Sequence, residues 1–210
     1  MIRQTLALTA LALVASSPVL AADYAVQAGL SSVTFTSDAT LETISGTSSA
    51  PSGTITTDTA APASTTGSVT VPVATLVTGI DMRDEHLHGA DWLNAAEFPN
   101  ITFTITSVSL ADAAATLSHG TTVNATVTGE FSLHGVTNTI TAPAQVSYFE
   151  IENGEVASTY GITSDVLRVV TSFDIAVADY GISIPGPMQL KVAPTINVAV
   201  RLSATEVTGG

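Results

Sequence analysis

The feature of this 210-residue sequence that most constrains its fold is a regular alternation of apolar and polar residues in short runs. The run at 101–106 (ITFTIT) alternates strictly, and the run at 196–202 (INVAVRL) repeats the pattern late in the chain. A period of two places successive side chains on opposite faces of a strand. The pattern therefore predicts half-buried β-strands around a shared interior.

Clusters of Gly, Ser, Asp and Pro separate these runs, as turns separate strands. We predict ten strands, near 24–27, 32–37, 40–46, 53–58, 66–72, 100–110, 122–131, 136–149, 163–178 and 188–203. A sandwich and a closed antiparallel barrel both fit this all-β pattern, and the long late strands favour the barrel because closure leaves no exposed edge. An eight-stranded barrel is wide enough to hold a small or elongated ligand.

Two segments depart from the strand pattern. Residues 83–98 lack the alternation and predict one or two short helical turns, interrupted by Gly89 and ended by Pro99. Residues 46–67 are rich in Ser, Thr, Ala and Pro and predict a loop-rich region around one weak strand, which would either close over a channel or decorate it.

The N-terminus has the three parts of a secretory signal peptide. Arg3 supplies the positive start, residues 5–15 (TLALTALALVA) the apolar stretch, and residues 19–21 (VLA) a cleavage site of small residues. The apolar stretch is shorter than the roughly 20 residues that span a bilayer. We predict a signal peptide at 1–21, a single mature domain over 22–210 that does not span the membrane, and a periplasmic or secreted location.

Charge and cysteine content exclude several classes of function. Five Lys and Arg residues oppose 18 Asp and Glu residues, a formal charge of -13, and loss of Arg3 with the signal peptide would leave -14. Because a phosphate backbone would repel such a chain, we expect no nucleic-acid partner. The absence of Cys excludes disulfides, thiolate metal sites and Cys nucleophiles.

The densest polar cluster lies within the predicted helical segment. His86 and His88, with Asp84 or Asp91, are residue types that bind a divalent metal. The alternative is a polar network in which Arg83 and its acidic neighbours cap the helix and pin it to the barrel. We favour the network because a His-x-His pair is by itself a weak metal signal, and we predict no metal site.

Other residue groups give no support for catalysis. Ser132 and His134 are close in sequence, but the sequence has no nucleophile elbow. We interpret the pair as two neighbours on one face of a strand. The turn at 150–155 (EIENGE) carries three glutamates. We interpret it as a solvated loop rather than as the source of the two catalytic carboxylates of a glycosidase. Since no phosphate loop or dinucleotide fingerprint is present either, we predict no catalytic residues, no cofactor and no enzyme activity.

The few aromatic residues have two equally good interpretations. They either fill the barrel as core or line an apolar cavity, and periodicity cannot separate the two because both place them inside. The candidates for a channel lining are Phe35, Trp92, Phe98, Phe103, Phe131, Phe173 and Tyr180.

Three blocks of sequence resemble the YceI family of periplasmic, lipocalin-like proteins. The blocks are RDEHLHGADWLNAAEFPNITF (83–103), GEFSLHGVTNTI (129–140) and FDIAVADYGI (173–182), in the order that the family shows. Among the residues that match the family pattern, we assign six to a structural motif: Arg83, Asp84, His86, Asp91, His134 and Gly135. The resemblance covers nearly all of the mature chain.

This resemblance implies an extended eight-stranded antiparallel barrel whose apolar channel binds a polyisoprenoid, a quinone or a fatty-acid-derived chain, with no catalytic residues. With a charge of -14, a neutral or exposed head group is favoured over a buried diphosphate, although Arg83, Arg168 or Lys191 remain available to cluster locally. Apolar surface at the channel mouth would also allow a homodimer. The alternatives are a metalloprotein that uses His86, His88 and Asp84, and a filled, stress-related interaction barrel without a cavity.

Overall fold

The computed structural model describes residues 21–152, 159 and 161–207 of the chain. Residues 1–20, which hold nearly all of the predicted signal peptide, lie outside the described residues, as does Glu155 of the predicted acidic turn. The described part contains the α-helix α1 (Asp81–His88) and ten strands. The strands are β1 (Ala22–Val26), β2 (Ser32–Asp38), β3 (Thr43–Ser48), β4 (Ser52–Thr57), β5 (Thr66–Pro72), β6 (Asn100–Leu110), β7 (Thr122–Leu133), β8 (Val136–Phe149), β9 (Val166–Ala176) and β10 (Thr195–Glu206).

Eight of these strands close into a ring. Their order is β1-β4-β5-β6-β7-β8-β9-β10, and β1 pairs with β10 to complete the circle. Every neighbouring pair is antiparallel. The predicted closed antiparallel barrel of eight strands is therefore confirmed.

The remaining two strands extend the N-terminal part of the ring toward one end of the barrel. β1 pairs with residues 204–206 of β10, and β2 pairs with residues 197–201 of the same strand. A short 3-10 helix at Ala28–Leu30 separates β1 from β2, and β3 pairs with β2 while β4 pairs with β1. The N-terminal hairpin thus consists of two long strands, each interrupted once.

Two sequence predictions need correction. The segment 46–67 was predicted to be loop-rich around a weak strand, but its strand β4 lies between β1 and β5 as a full member of the barrel wall. The last strand was predicted to begin at residue 188 and instead begins at Thr195, because Pro185 and Pro187 favour a 3-10 turn and the Met188 carbonyl accepts the N–H groups of residues 191 and 192.

The short helix has the place that the sequence predicts. α1 spans Asp81–His88 and ends where Gly89 donates its N–H to the His86 carbonyl. None of its residues is fully buried, so tertiary contacts rather than an apolar stripe hold it against the barrel. No helix within the described residues has the length and apolar character needed to cross a bilayer.

The barrel interior follows the alternation seen in the sequence. Val198 of β10 pairs with Phe35 on one side and Phe173 on the other, so that the three side chains share the inner face. Two buried clusters occupy the two ends, one around Leu167 and Leu202 and the other around Phe131 and Ile196. Between and beside these clusters the side chains leave an open space inside the barrel.

Candidate ligand-binding cavity

A cavity of about 510 Å³ extends along the interior of the barrel. Its wall consists of inward-facing aliphatic and aromatic side chains from the strands of the ring, and inward residues such as Val127 and Val200 are only half-buried because they face this space. The volume lies within the range of small-molecule sites in proteins. The interior is therefore hollow, which argues against the filled-barrel alternative.

Two glycines make room for aromatic rings on the cavity wall. A Cβ at Gly46 would lie 2.3 Å from the Phe35 ring, and a Cβ at Gly129 would lie 2.3 Å from the Phe103 ring. Each ring covers the glycine of a neighbouring strand, a pairing that stabilises β-sheets. The two rings thus lie flat along the wall instead of filling the space.

One end of the cavity, the closed end, is sealed by two loops. Leu117 in the loop between β6 and β7 is 5% exposed, lines the cavity and donates its N–H to the Thr59 carbonyl of the loop between β4 and β5. Pro62 and Thr65 of that second loop also line the cavity, and Thr65 pairs with the Thr57 hydroxyl at 2.6 Å. Side chains therefore block the passage of a ligand through this end.

A tyrosine–carboxylate network backs the closed end. Tyr148 donates its hydroxyl hydrogen to Asp165, whose second oxygen accepts the Ile151 N–H at 2.9 Å. Burial, with the charges of Glu206 and Asp165, raises the pKa of Tyr24 to about 12, and burial together with the Asp165 hydrogen bond raises the pKa of Tyr148. Both phenols are neutral throughout the physiological range.

The raised pKa of Tyr24 predicts a loss of stability at high pH. In the unfolded chain tyrosine ionises near pH 10, whereas folded Tyr24 ionises at about 12, so the unfolded state releases the proton first. The free energy of unfolding should fall as pH rises from about 10 toward 12. Urea unfolding at several pH values should show a smaller fall in Tyr24→Phe than in the wild type, with equal slopes between pH 7 and 9. An unchanged slope above pH 10 in the variant would contradict this assignment.

The opposite end, the mouth, is open, and both charged and exposed apolar side chains surround it. Three segments surround it: the β2–β3 turn, residues 76–88 with α1, and residues 186–192. Ile80 and Met82 line the cavity while remaining 49% and 68% exposed, so the cavity reaches the surface here. The Leu41 N–H donates to the Leu190 carbonyl at 2.9 Å and joins two of the three segments.

Charged side chains concentrate at this mouth. Glu42, Arg83, His86 and Lys191 all line the cavity, and Arg83 donates to the Glu42 carboxylate at 2.5 Å. That ion pair fixes α1 to the β2–β3 turn, and both side chains are about one-third exposed. The cavity is thus amphipathic along its length, apolar inside and charged at its entrance.

Comparison with known proteins identifies the family. A model described as YceI-like domain matches residues 24–204. The chain belongs to the YceI-like family. The resemblance drawn from the three sequence blocks is thereby confirmed.

Curated relatives of this family align over a shorter segment. The chain is 35% identical over 79 residues to Protein YceI of Escherichia coli O6:H1, and equally to Protein YceI of Salmonella arizonae. The aligned segment is 38% of this chain and 36% of either relative. The match thus spans about a third of the length of these relatives.

Solved YceI-like structures share the fold over most of the chain. BcnA of Burkholderia cenocepacia superposes with a TM-score of 0.65 at 21% identity, covering 86% of this chain and 99% of that protein. A polyisoprenoid binding domain from Saccharophagus degradans, implicated in plant cell wall breakdown, gives a TM-score of 0.65 at 20% identity, covering 88% of this chain and 98% of that one. The YCEI protein of Campylobacter jejuni gives 0.60 at 21% identity over 78% of this chain and 85% of its own.

The YceI-like pattern residues on α1 form a polar network. Asp84 accepts both the N–H and the hydroxyl of Thr78, at 2.7 and 2.6 Å, and this hydroxyl bond holds the pKa of Asp84 below its usual range. His88 donates from Nε2 to the Leu76 carbonyl at 2.8 Å, and Asp91 is exposed. In the described part of the chain no three His, Asp or Glu side chains converge as metal ligands. The geometry is that of a network that pins the helix.

The second pattern block forms a hairpin turn. His134 and Gly135 connect β7 to β8, and both have positive φ, 51° and 76°, as a type I′ turn requires. His134 donates from Nδ1 to the Tyr180 carbonyl at 3.0 Å, while Ser132 bonds to Thr137 at 2.6 Å. Ser132 and His134 therefore each have another partner.

Five of the seven aromatic candidates line the cavity: Phe35, Trp92, Phe103, Phe131 and Phe173. Phe98 and Tyr180 do not line it, contrary to the sequence prediction. Phe98 packs edge-on against the His134 ring at 4.9 Å, and Tyr180 lies on a 3-10 helix beyond β9, where it packs edge-on against Phe131. Neither belongs to a barrel strand.

Sequence reasoning missed parts of the cavity and its mouth. Glu42, Leu117 and Pro62 were not singled out, since each lies in a turn or loop with no recognisable motif. Of the three cations that the sequence leaves available to cluster, Lys191 and Arg83 both lie at the mouth, whereas Arg168 is exposed on the outer face of β9.

Proposed function

We propose that this protein is a periplasmic carrier that holds a polyisoprenoid, a quinone or a similar long-chain amphiphile in the barrel cavity. The observation that carries the proposal is the cavity itself, about 510 Å³ with an apolar wall, one closed end and a charged mouth. Such a shape accepts a hydrocarbon tail inside and leaves a polar head at the entrance. The Saccharophagus degradans neighbour, described as a polyisoprenoid binding domain, supports the same class of ligand.

Burial of hydrocarbon alone is sufficient for useful affinity. Each buried CH₂ group contributes about 0.8 kcal/mol, so about ten carbons contribute roughly 8 kcal/mol before the cost of association. No residue of the cavity has to react with the ligand for this role. We therefore infer binding and transport rather than catalysis.

The periplasmic location rests on the predicted signal peptide at 1–21. Cleavage there would release a chain that begins at Ala22 or Asp23. The intact mass of the protein recovered from the periplasmic fraction tests this point, and a full-length mass in the cytoplasm would contradict it.

Native mass spectrometry of protein purified without detergent tests the ligand. We expect a bound species in about one-to-one amount, which organic extraction then identifies as a long-chain molecule. The control is the same protein after removal of lipid on a hydrophobic resin, to which quinones and fatty amides are added back. A protein that carries no lipid and takes up none of these would overturn the proposal.

A further inference from the structure

The rim of the mouth, formed by the three segments that surround it, carries most of the large apolar side chains that the described surface exposes. Of eight such side chains in the described part of the chain, five lie on the rim. They are Leu41, Val77, Ile80, Met82 and Leu190. Exposed apolar side chains that cluster among polar residues are typical of a surface that binds a partner.

Enclosure of a ligand does not account for this exposure. Leu41, Val77 and Leu190 do not line the cavity, and they are 66%, 46% and 55% exposed. The backbone bond from the Leu41 N–H to the Leu190 carbonyl holds two of the three segments together, so these side chains project from an ordered rim. Contact with another apolar surface would remove them from water.

Carboxylates are interspersed with these apolar side chains. On the rim four carboxylates oppose two cations, with the histidines counted as neutral. The carboxylates are Glu42, Asp81, Asp84 and Glu85, and the cations are Arg83 and Lys191. Since Arg83 is paired with Glu42, three carboxylates are left with one cation. The rim is therefore acidic as well as apolar, and it complements a surface of positive charge.

A bilayer surface does not match this rim. Proteins that lie on membranes use Trp and Tyr at the interface, together with Lys and Arg beside the head groups. Among the described residues the Trp and Tyr side chains are buried or half-buried. Asp81 and Glu85 are exposed on the same helix as Met82, so insertion of Met82 would bring two carboxylates to an anionic lipid surface that repels them.

A second copy of this chain does not match it either. Two mouths that faced each other would bring the carboxylates of one α1 toward those of the other mouth. Like charges that oppose each other across an interface weaken association. The charge of the rim thus favours a different protein over a second copy.

We propose that the mouth docks onto a partner protein whose contact surface has an apolar centre within a ring of Lys and Arg side chains. The apolar centre would cover Leu41 and Met82, and the cations would pair with Asp81 and Glu85. This inference rests on the proposed carrier function, because a tail that passes between two apolar surfaces does not enter water. The small contact suits a partner that binds briefly and leaves.

Photo-crosslinking in the cells that produce the protein tests for such a partner. A benzoylphenylalanine in place of Leu41 lies on the rim and outside the cavity lining. The same group in place of Thr126 lies on the outer wall and serves as the control. We expect position 41, and not position 126, to form an adduct with another protein, which mass spectrometry identifies. Adducts with lipid or with a second copy of this chain, or no adduct above the control, would overturn the proposal.

A pair of charge variants tests how the purified partner is recognised. Glu85→Lys reverses a charge on the rim, whereas Glu150→Lys makes the same change in total charge beside the closed end, after β8. We expect Glu85→Lys to associate about tenfold more slowly, with a weaker salt dependence, and Glu150→Lys to associate within about twofold of the wild type. Equal association rates in the two variants would contradict an acidic docking surface.

A pair of apolar variants tests the centre of the contact. Leu41→Ser should dissociate from the partner about tenfold faster. Leu30→Ser removes a side chain that is 49% exposed between β1 and β2, away from the rim, and should dissociate as the wild type does. Equal dissociation rates in the two variants would contradict an apolar contact at the mouth.

The amount of bound ligand separates docking from the carrier function. Neither Leu41 nor Glu85 lines the cavity, so native mass spectrometry should find the wild-type amount of ligand in Leu41→Ser and Glu85→Lys. A wild-type protein that carries ligand and forms no partner adduct would overturn docking and leave the carrier function standing. A protein that docks without ever carrying a ligand would overturn the carrier function instead.

Discussion

Replacement of Val127 by Trp should weaken ligand binding by more than about a hundredfold while the barrel stays folded. Val127 lies midway along β7 and faces the cavity, and the ring of Trp would project into the path of the tail. We expect the Trp ring to remove the contacts of about four CH₂ groups, each of which contributes about 0.8 kcal/mol. The affinity for the ligand then falls by more than about a hundredfold. Isothermal titration with the ligand recovered by extraction measures the loss.

The adjacent residue is the matched control. Thr126 precedes Val127 on the same strand, is exposed, and faces the outside of the barrel. Thr126→Trp adds the same ring to the outer surface and should bind as the wild type does. If Val127→Trp fails to fold, Val127→Phe takes less space and should show a smaller loss in the same direction. Undiminished binding by a folded Val127→Trp protein would place the ligand outside the barrel.

The sequence predicts the wall of this cavity well because the wall follows strand periodicity. In β6 the alternation of residues 101–105 assigns Ile101, Phe103 and Ile105 to one face, and all three line the cavity. Thr104 of the same strand is exposed, as the alternation requires. Periodicity fixes a face, however, and does not show whether that face surrounds core or open space. The cavity becomes visible only in the structure, where the positions of all the strands are known.

The contacts at the mouth and at the closed end could not be predicted from the sequence, for a different reason. Glu42 and Arg83 are 41 residues apart, and their ion pair depends on how the β2–β3 turn meets α1. Leu117 reaches Thr59 across the closed end in the same way. Loop residues carry no periodic signal, so only the closure of the barrel brings such partners together. The resemblance to known proteins supplied the fold class but not these contacts.

A substitution in the β7–β8 turn, Gly135→Ala, has the largest expected effect on the free energy of unfolding. Gly135 has φ of 76°, and a Cβ at this position would lie 2.5 Å from the Phe98 ring. Gly135→Ala therefore combines the cost of left-handed backbone, about 1–2 kcal/mol, with an overpacking cost of about 1–3 kcal/mol. The free energy of unfolding, measured in urea, should fall by about 2–5 kcal/mol.

A second glycine separates the two costs. Gly120 has φ of 71°, and nothing lies within 4 Å of an added Cβ. Gly120→Ala should therefore lower the free energy of unfolding only by the cost of the left-handed backbone, about 1–2 kcal/mol. Phe98→Ala removes the ring that the new methyl group would strike. The double variant Phe98→Ala/Gly135→Ala should therefore be less destabilised than the sum of its single variants, by about 1 kcal/mol or more. Strict additivity, or equal losses at Gly120 and Gly135, would show that Phe98 does not pack on this turn.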